Sequence, residues 1–145
     1  MPNRHVSRET ALKAVYRWSF DEKVGFYDTK SLTRLWGNEN FKDAENKDFF
    51  ERVVNGVGQR LPEIDELIKS SLENWRFDRI QKIELAILRL AIFELLFDIG
   101  GDKSDAPVII DEALELTKTY ATQDSVAFIN GILDSVANTN GSDKK

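Results

Sequence analysis

Residues 79–99 read RIQKIELAILRLAIFELLFDI and contain the longest apolar run of this 145-residue chain. Four charged residues interrupt the run after Ile83: Glu84, Arg89, Glu94 and Asp98. Apolar side chains would surround almost the whole circumference of a helix from Leu85 to Phe97, so neighbouring elements must cover it on several sides. A bilayer span needs about 20 predominantly apolar residues. The stretch therefore predicts a buried central helix in a soluble all-α domain.

Helical spacing of apolar residues continues on both sides of this central helix, and no segment alternates convincingly like a strand. Before it, we predict helices over about 7–20, 29–36 and 47–60 and a fourth after Pro62, with Asp78 as N-cap of the central helix. The first helix should bury Ala11, Leu12, Val15 and Tyr16, together with Trp18 or Phe20.

After the central helix, Pro107 opens a sixth helix, and a seventh follows the loop at 121–124. The prediction is therefore an all-α fold of about seven helices. It forms a single domain over 1–138, with 139–145 as a flexible C-terminal tail.

Two Asn-Gly dipeptides, Asn55-Gly56 and Asn130-Gly131, interrupt helical patterns although this dipeptide usually marks a turn. Glycine inside a helix costs about 1 kcal/mol relative to alanine and is tolerated where it relieves a crowded contact. We therefore expect another helix backbone to approach both glycines; a kink in the helix or a contact with a partner protein is the alternative. Asn130, if buried beside such a contact, would need hydrogen-bond partners.

The charge of the chain is unevenly distributed. Residues 1–18 carry a net +3, so the other 127 residues must sum to -8 for the whole chain to reach -5. This asymmetry predicts a basic N-terminal arm on an acidic body. The chain lacks cysteine and shows no apolar run near its N-terminus typical of a signal peptide, so we expect a cytoplasmic protein.

The residues offer little for catalysis or for cofactor binding. His5 is the single histidine and lies in the arm, where it is a poor candidate for a catalytic base. No Cys/His cluster has the spacing of a transition-metal site, and GGDKS lacks the spacing of a phosphate-binding loop. Carboxylates at Asp111, Glu112 and Glu115 are typical of the beginning of a helix. We expect neither an enzyme nor a cofactor.

Two stretches in the last third of the chain form a distinctive pattern: ILRLAIFELL at 87–96 and VIIDEALELTKTYATQDSVAFINGILDSV at 108–136. This pattern resembles the NusB family of bacterial transcription antitermination factors. SRETALKAVYRW at 7–18 is similar to the family's first helix and EIDELIKSSLENW at 63–75 to its fourth, with the weakest similarity over 21–45.

This resemblance implies an all-α fold of two packed three-helix subdomains. It also implies pairing with the ribosomal protein NusE and binding of single-stranded boxA leader RNA. The complex would join NusA, NusG and RNA polymerase and make transcription of ribosomal RNA operons resistant to termination. No cofactor and no bond-making step is implied, and no membrane is involved.

Carried over by position, the RNA surface combines the arm with the loop between the last two helices. The implied residues are Arg4, His5, Arg8, Tyr120, Asp124 and Phe128. The family's arm is often richer in arginine; Val6 and Ser7 occupy positions where further basic residues are common, and Lys13 and Arg17 could compensate. Glu84, at the start of the central helix, is the expected NusE contact.

The chemistry of these residues agrees with the resemblance but leaves alternatives. Cations near phosphates release counterions and gain affinity, and unpaired bases can stack on Tyr120 or Phe128. Asp124 could instead cap the last helix, and Phe128 could belong to the core. Two other functions stay open. One is an interaction module or homodimer without RNA affinity; the other is the helical domain of an RNA methyltransferase, whose nucleotide-binding motif this sequence lacks.

Overall fold

The computed structural model describes residues 4–19, 41–72, 76–98 and 106–141, and these ranges form six α-helices and no strand. The helices are α1 (Arg4–Trp18), α2 (Ala44–Gln59), α3 (Leu61–Ser71), α4 (Lys82–Ile92), α5 (Ala106–Tyr120) and α6 (Gln123–Gly141). A 3₁₀ turn, Phe77–Arg79, precedes α4, and a π-helical turn, Phe93–Phe97, continues it. The all-α prediction is confirmed. The helix predicted over 29–36 lies outside the described residues.

Helix α4 is the centre of the fold, as its composition predicts. It packs against α1, α2, α3, α5 and α6, and seven of its eleven residues are buried. The closest partners of α1 and α5 are α2 and α6, respectively. Helices α4, α5 and α6 pack on one another as a C-terminal bundle, α3 packs on α4 and α6, and α4 also joins this bundle to α1 and α2.

Several helix ends differ from the predicted ones for local reasons. The prediction that Asp78 caps the central helix is wrong, because Asp78 lies in the 3₁₀ turn and pairs with Arg76 at 3.0 Å. Helix α4 begins at Lys82, and the Glu84 carboxylate accepts a hydrogen bond of 3.1 Å from the backbone N–H of Gln81. A glutamate at the third helical position commonly satisfies a free N–H in this way.

The last helix is longer than predicted at both of its ends. The backbone N–H of Ser125 donates to Thr122 Oγ1 at 3.2 Å, so Thr122, not Asp124, supplies the capping oxygen. Helix α6 continues through Gly141, so 139–141 are helical where a tail is predicted; residues 142–145 lie outside the described part.

The two Asn-Gly dipeptides lie inside helices α2 and α6, but among the described residues the nearest neighbour of Gly56 is a side chain and Gly131 has no neighbour within 4 Å, so the predicted approach of a helix backbone is wrong. Gly56 is buried, and a Cβ atom there would overlap the ring of Phe93, which is a side chain. Gly131 is exposed, and no atom of the described residues lies within 4 Å of the position its Cβ would take. Asn130 is exposed as well, so it needs no buried partner.

Candidate nucleic-acid interface

Two polar contacts hold the N-terminal half of α1 beside α5. His5 Nδ1 lies 3.1 Å from Glu112 Oε2, in the middle of α5. The carboxylate of Glu9 lies near the hydroxyl of Tyr120, the last residue of α5, and affects its pKa. The arm therefore lies on the same side of the molecule as the junction between the last two helices.

An open groove of about 310 Å³ lies beside these contacts. It is lined by Leu12, Lys13 and Tyr16 of α1, Ile83 of α4 and Tyr120 of α5. Lys13 is exposed, and Tyr16 is 36% exposed, so the prediction that Tyr16 is buried is wrong. A groove with two aromatic rings, an exposed cation and an apolar floor can hold a phosphate and stack an unpaired base.

Tyr120 is held as a neutral phenol at the wall of this groove. Burial raises the pKa of the Tyr120 hydroxyl, and together with the smaller effect of the nearby negative Glu9 carboxylate it brings this pKa to about 12. Glu9 belongs to α1 and Tyr120 to α5, so this wall of the groove is formed where the two helices come together.

Arg8 does not lie on the exposed face of α1. Its Nη2 donates to Glu94 Oε1 at 2.8 Å, its Nε donates to Oε2 at 3.0 Å, and the two side chains are 9% and 7% exposed. An arginine that is buried and held through two of its three guanidinium nitrogens by one carboxylate is poorly placed to bind a ligand at the surface. The sequence places Arg8 in the RNA surface by resemblance, and the structure places it in the interior.

The other predicted site residues lie at the start of α1 and in the first turns of α6. Arg4 opens α1, and its side chain lies outside the described part; His5 is exposed at the same end. Asp124 is exposed in the first turn of α6, whereas Phe128 is partly buried against the core. Neither of these two is among the described residues that line the groove. Among the described residues, Tyr120 is the implied RNA residue that lines the groove, together with the compensating cation Lys13.

Glu84, the predicted protein contact, lies next to the groove residue Ile83. Its side chain is half-buried, and one carboxylate oxygen caps α4. The start of α4 therefore borders the groove.

Sequence reasoning missed Tyr16, Ile83 and Glu9. Residues in a helix are about 100° apart, so Glu9, Lys13 and Tyr16 share one face of α1, beside the buried face of Arg8, Ala11 and Val15. This grouping could have been found in the sequence by treating Tyr16 as a boundary residue of the apolar stripe.

Among the described residues, no group of three or more His, Cys, Asp or Glu side chains could hold a metal ion. None of the described helices has both the length and the apolar character that crossing a membrane demands.

Together, these features define an all-helical protein with a basic and aromatic groove between its first helix and its C-terminal bundle. The NusB family model matches residues 5–138. The transcription antitermination protein NusB of Herpetosiphon aurantiacus is 35% identical over 135 residues, with 93% of this chain and 90% of that protein covered. NusB of Anaeromyxobacter dehalogenans is 41% identical over 133 residues, with 90% and 87% covered. The chain belongs to the NusB family.

Solved structures show the same fold. T. maritima NusB has a TM-score of 0.77 and is 32% identical, with 94% of this chain and 92% of that chain covered. A chain in the crystal structure of the antitermination factors NusB and NusE in complex with double-stranded RNA has a TM-score of 0.78. It is 24% identical, with 94% and 96% covered, and this likeness concerns the fold alone.

Proposed function

We propose that this protein is a transcription antitermination factor that binds single-stranded boxA-type leader RNA together with NusE. Its role would be to support antiterminated transcription of ribosomal RNA operons in the cytoplasm, within a polymerase complex that includes NusA and NusG. The proposal involves no cofactor and no catalytic step. One observation carries it: α1 lies beside the end of α5, so that Lys13, Tyr16 and Tyr120 line one groove.

The chemistry of the groove supports an unpaired strand as the ligand. Single-stranded RNA is recognised by aromatic rings that stack bases and by cations along the backbone. Tyr16 and Tyr120 supply rings, and Lys13 supplies an exposed cation. Arg17, exposed one turn further along α1, extends the positive charge.

The position of α4 supports a protein partner next to the RNA. Ile83 lines the groove, and Glu84 follows it at the exposed start of α4. A NusE subunit that contacts this start would cover one end of the groove and could contact the same RNA strand. We therefore expect RNA binding to tighten when NusE is added.

A titration of a leader-derived RNA with and without NusE, at two salt concentrations, tests this function. We expect binding that strengthens with NusE and weakens with salt, because each neutralised phosphate releases a counterion. An RNA of the same length with a scrambled leader sequence is the control for specificity. Equal binding of both RNAs, or no effect of NusE, would contradict the proposal.

Single-residue variants test whether the RNA binds in the groove. Lys13→Ala should weaken RNA binding and reduce the salt slope by about 0.7, the value for one phosphate of a single strand. Lys69→Ala is the matched control, since Lys69 is an exposed helical lysine on α3, which packs on α4 and α6. An equal loss in both variants would mean that only the overall charge matters.

Two substitutions of Tyr16 distinguish stacking on its ring from hydrogen bonding by its hydroxyl. Tyr16→Ala should weaken binding about 10-fold or more, because stacking one base contributes roughly 1–3 kcal/mol. Tyr16→Phe should keep most of the affinity. If both substitutions leave the affinity unchanged, the RNA does not use this groove.

The burial of Arg8 favours a second candidate function, because it leaves the arm with one cation fewer. In this alternative, the chain is a protein-interaction module or homodimer that binds no RNA. Tight NusE binding or a stable dimer, combined with leader RNA binding no stronger than that of the scrambled RNA, would support it.

A further inference from the structure

Two arginines lie over one phenylalanine ring where α1, α2 and the end of α4 meet. The guanidinium carbons of Arg8 and Arg52 are each 5.4 Å from the ring centroid of Phe49. Phe49 is 2% exposed. Arg8 belongs to α1, whereas Arg52 and Phe49 belong to α2, so the cluster joins two helices.

Each arginine also pairs with a carboxylate at the π-helical turn. Arg8 forms the two-nitrogen contact with Glu94 described above, and Arg52 Nε donates to Asp98 Oδ1 at 2.8 Å. Glu94 lies within the turn and Asp98 directly after it. Such turns occur frequently at functional sites, and this one supplies both carboxylates to the same cluster.

The Arg8–Glu94 pair is buried, so desolvation opposes its contribution to stability. Burial raises the pKa of Glu94 above its ordinary value, although Arg8 lowers it. Buried ion pairs often contribute no more stability than apolar residues of similar size, and some are retained because they select one arrangement. We therefore consider a role for the Arg8–Glu94 pair other than stabilising the fold.

The geometry of α1 supplies one. Each helical residue turns the chain by about 100°, so fixing the direction of Arg8 fixes the direction of every side chain on the helix. The side chains of Lys13 and Tyr16 lie on the neighbouring face, in the groove. A hydrogen bond of 3.0 Å from Ser7 Oγ to Asn46 Oδ1 fixes α1 against α2 at the adjacent residue.

We propose that Arg8 is a positioning residue: its two-nitrogen contact with Glu94 sets the rotation of α1 so that Lys13 and Tyr16 face Tyr120 across the groove. Arg8 acts on RNA through this rotation and does not touch the RNA. The proposal rests on the function proposed above and reassigns a residue that the family resemblance places in the RNA surface.

Arg8→Lys tests the proposal, since lysine keeps the charge but cannot form the two-nitrogen contact. We expect leader RNA to bind about 10-fold more weakly with an unchanged salt slope. Arg8→Gln should behave in the same way. Arg8 would instead be a phosphate ligand if Arg8→Lys binds RNA like the wild type while Arg8→Gln binds more weakly and its salt slope falls by about 0.7. That result would show that the proposal is wrong.

Arg52→Lys is the matched control, because Arg52 lies over the same ring but anchors α2. RNA affinity should change little in this variant. A loss as large as that of Arg8→Lys would mean that the cluster supports the whole fold, and the specific assignment to Arg8 would fail.

A double variant, Arg8→Leu with Glu94→Met, covers the case in which single variants do not fold, since removing both charges leaves neither unpaired. We expect a melting temperature equal to or above that of the wild type, weaker RNA binding and an unchanged salt slope. Wild-type affinity in this folded variant would overturn the proposal.

Hydrogen exchange without RNA separates this proposal from the proposed function. In Arg8→Lys, amides of α1 should exchange at least several-fold faster while those of α6 stay unchanged. If wild-type protein binds no leader RNA, the proposed function fails, and the exchange result still shows whether Arg8 fixes α1. Unchanged α1 exchange together with unchanged RNA affinity rejects the positioning role.

Discussion

The two Asn-Gly dipeptides occupy helices of the same domain, yet their surroundings are opposite. Gly56 in α2 is buried, and the ring of Phe93 occupies the space that a Cβ would need. Gly131 in α6 is exposed, with open space where its Cβ would be. The same dipeptide therefore marks a packing contact in one helix and a solvent-exposed surface in the other.

The difference shows what glycine inside a helix can and cannot indicate. Its conformational cost is about the same at both positions, because that cost depends on the backbone. The compensation depends on the neighbours, which the local sequence does not specify. The conformational cost of Gly56 is compensated by the close packing of Phe93 against α2. The cost of Gly131 has no such compensation among the described residues.

Gly56→Ala should have the largest effect. The added methyl must displace the ring of Phe93, which is 5% exposed and has little room to move. Overpacking of a core costs typically 1–3 kcal/mol, partly offset by the better helix propensity of alanine. We expect the free energy of unfolding to fall by about 2 kcal/mol, measured by urea denaturation. An unchanged value would show that Phe93 can move aside.

A double-mutant cycle with Phe93→Leu should show the next largest effect. Leucine lacks the ring that a Cβ at Gly56 would meet, so Gly56→Ala should destabilise the Phe93→Leu background less than the wild type. We expect a coupling free energy of about 1 kcal/mol, within the range for residues in contact. The same cycle between Phe93 and Gly131 is the control and should give no coupling.

The sequence predicts those parts of the fold that depend on local periodicity. The apolar circumference of Leu85–Phe97 identifies α4 as the central helix, and seven buried residues confirm it. Pro107 lies in the first turn of α5, as predicted. Helix caps are predicted less well, because Thr122 and Gln81 compete with nearby Asp124 and Asp78, and backbone geometry decides between them.

The candidate site is predicted in part. The sequence places Tyr120 and the arm together only through the family resemblance, and the structure brings α1 and Tyr120 together through Glu9. Arg8 is predicted as a surface cation because its partner, Glu94, is 86 residues away in the sequence. Long-range pairs of this kind are not visible in local patterns. Tyr16 is assigned to the core because an aromatic residue at the edge of an apolar stripe fits either environment.

Gly131→Ala should have a smaller effect of the opposite sign. With open space around the new methyl group, only the helix propensity changes, and alanine is better than glycine by about 0.8–1.0 kcal/mol. We expect the melting temperature to rise by roughly 2–5 °C, measured by circular dichroism. A fall in melting temperature would mean that a neighbour does approach α6 at this position.

Asn130→Ala should have the smallest effect. Asn130 is exposed, and asparagine is a weaker helix former than alanine, so the substitution should stabilise the protein by about 0.5 kcal/mol. Urea denaturation of Asn130→Ala, Gly131→Ala and the double variant tests whether both effects come from helix propensity alone. Propensity effects at exposed sites should add within about 0.5 kcal/mol.

A loss of more than 1 kcal/mol in Asn130→Ala, which exceeds the usual range for exposed positions of about ±0.5 kcal/mol, would show that the amide makes a stabilising contact. The Asn-Gly of α6 would then resemble that of α2 more closely than its exposure indicates.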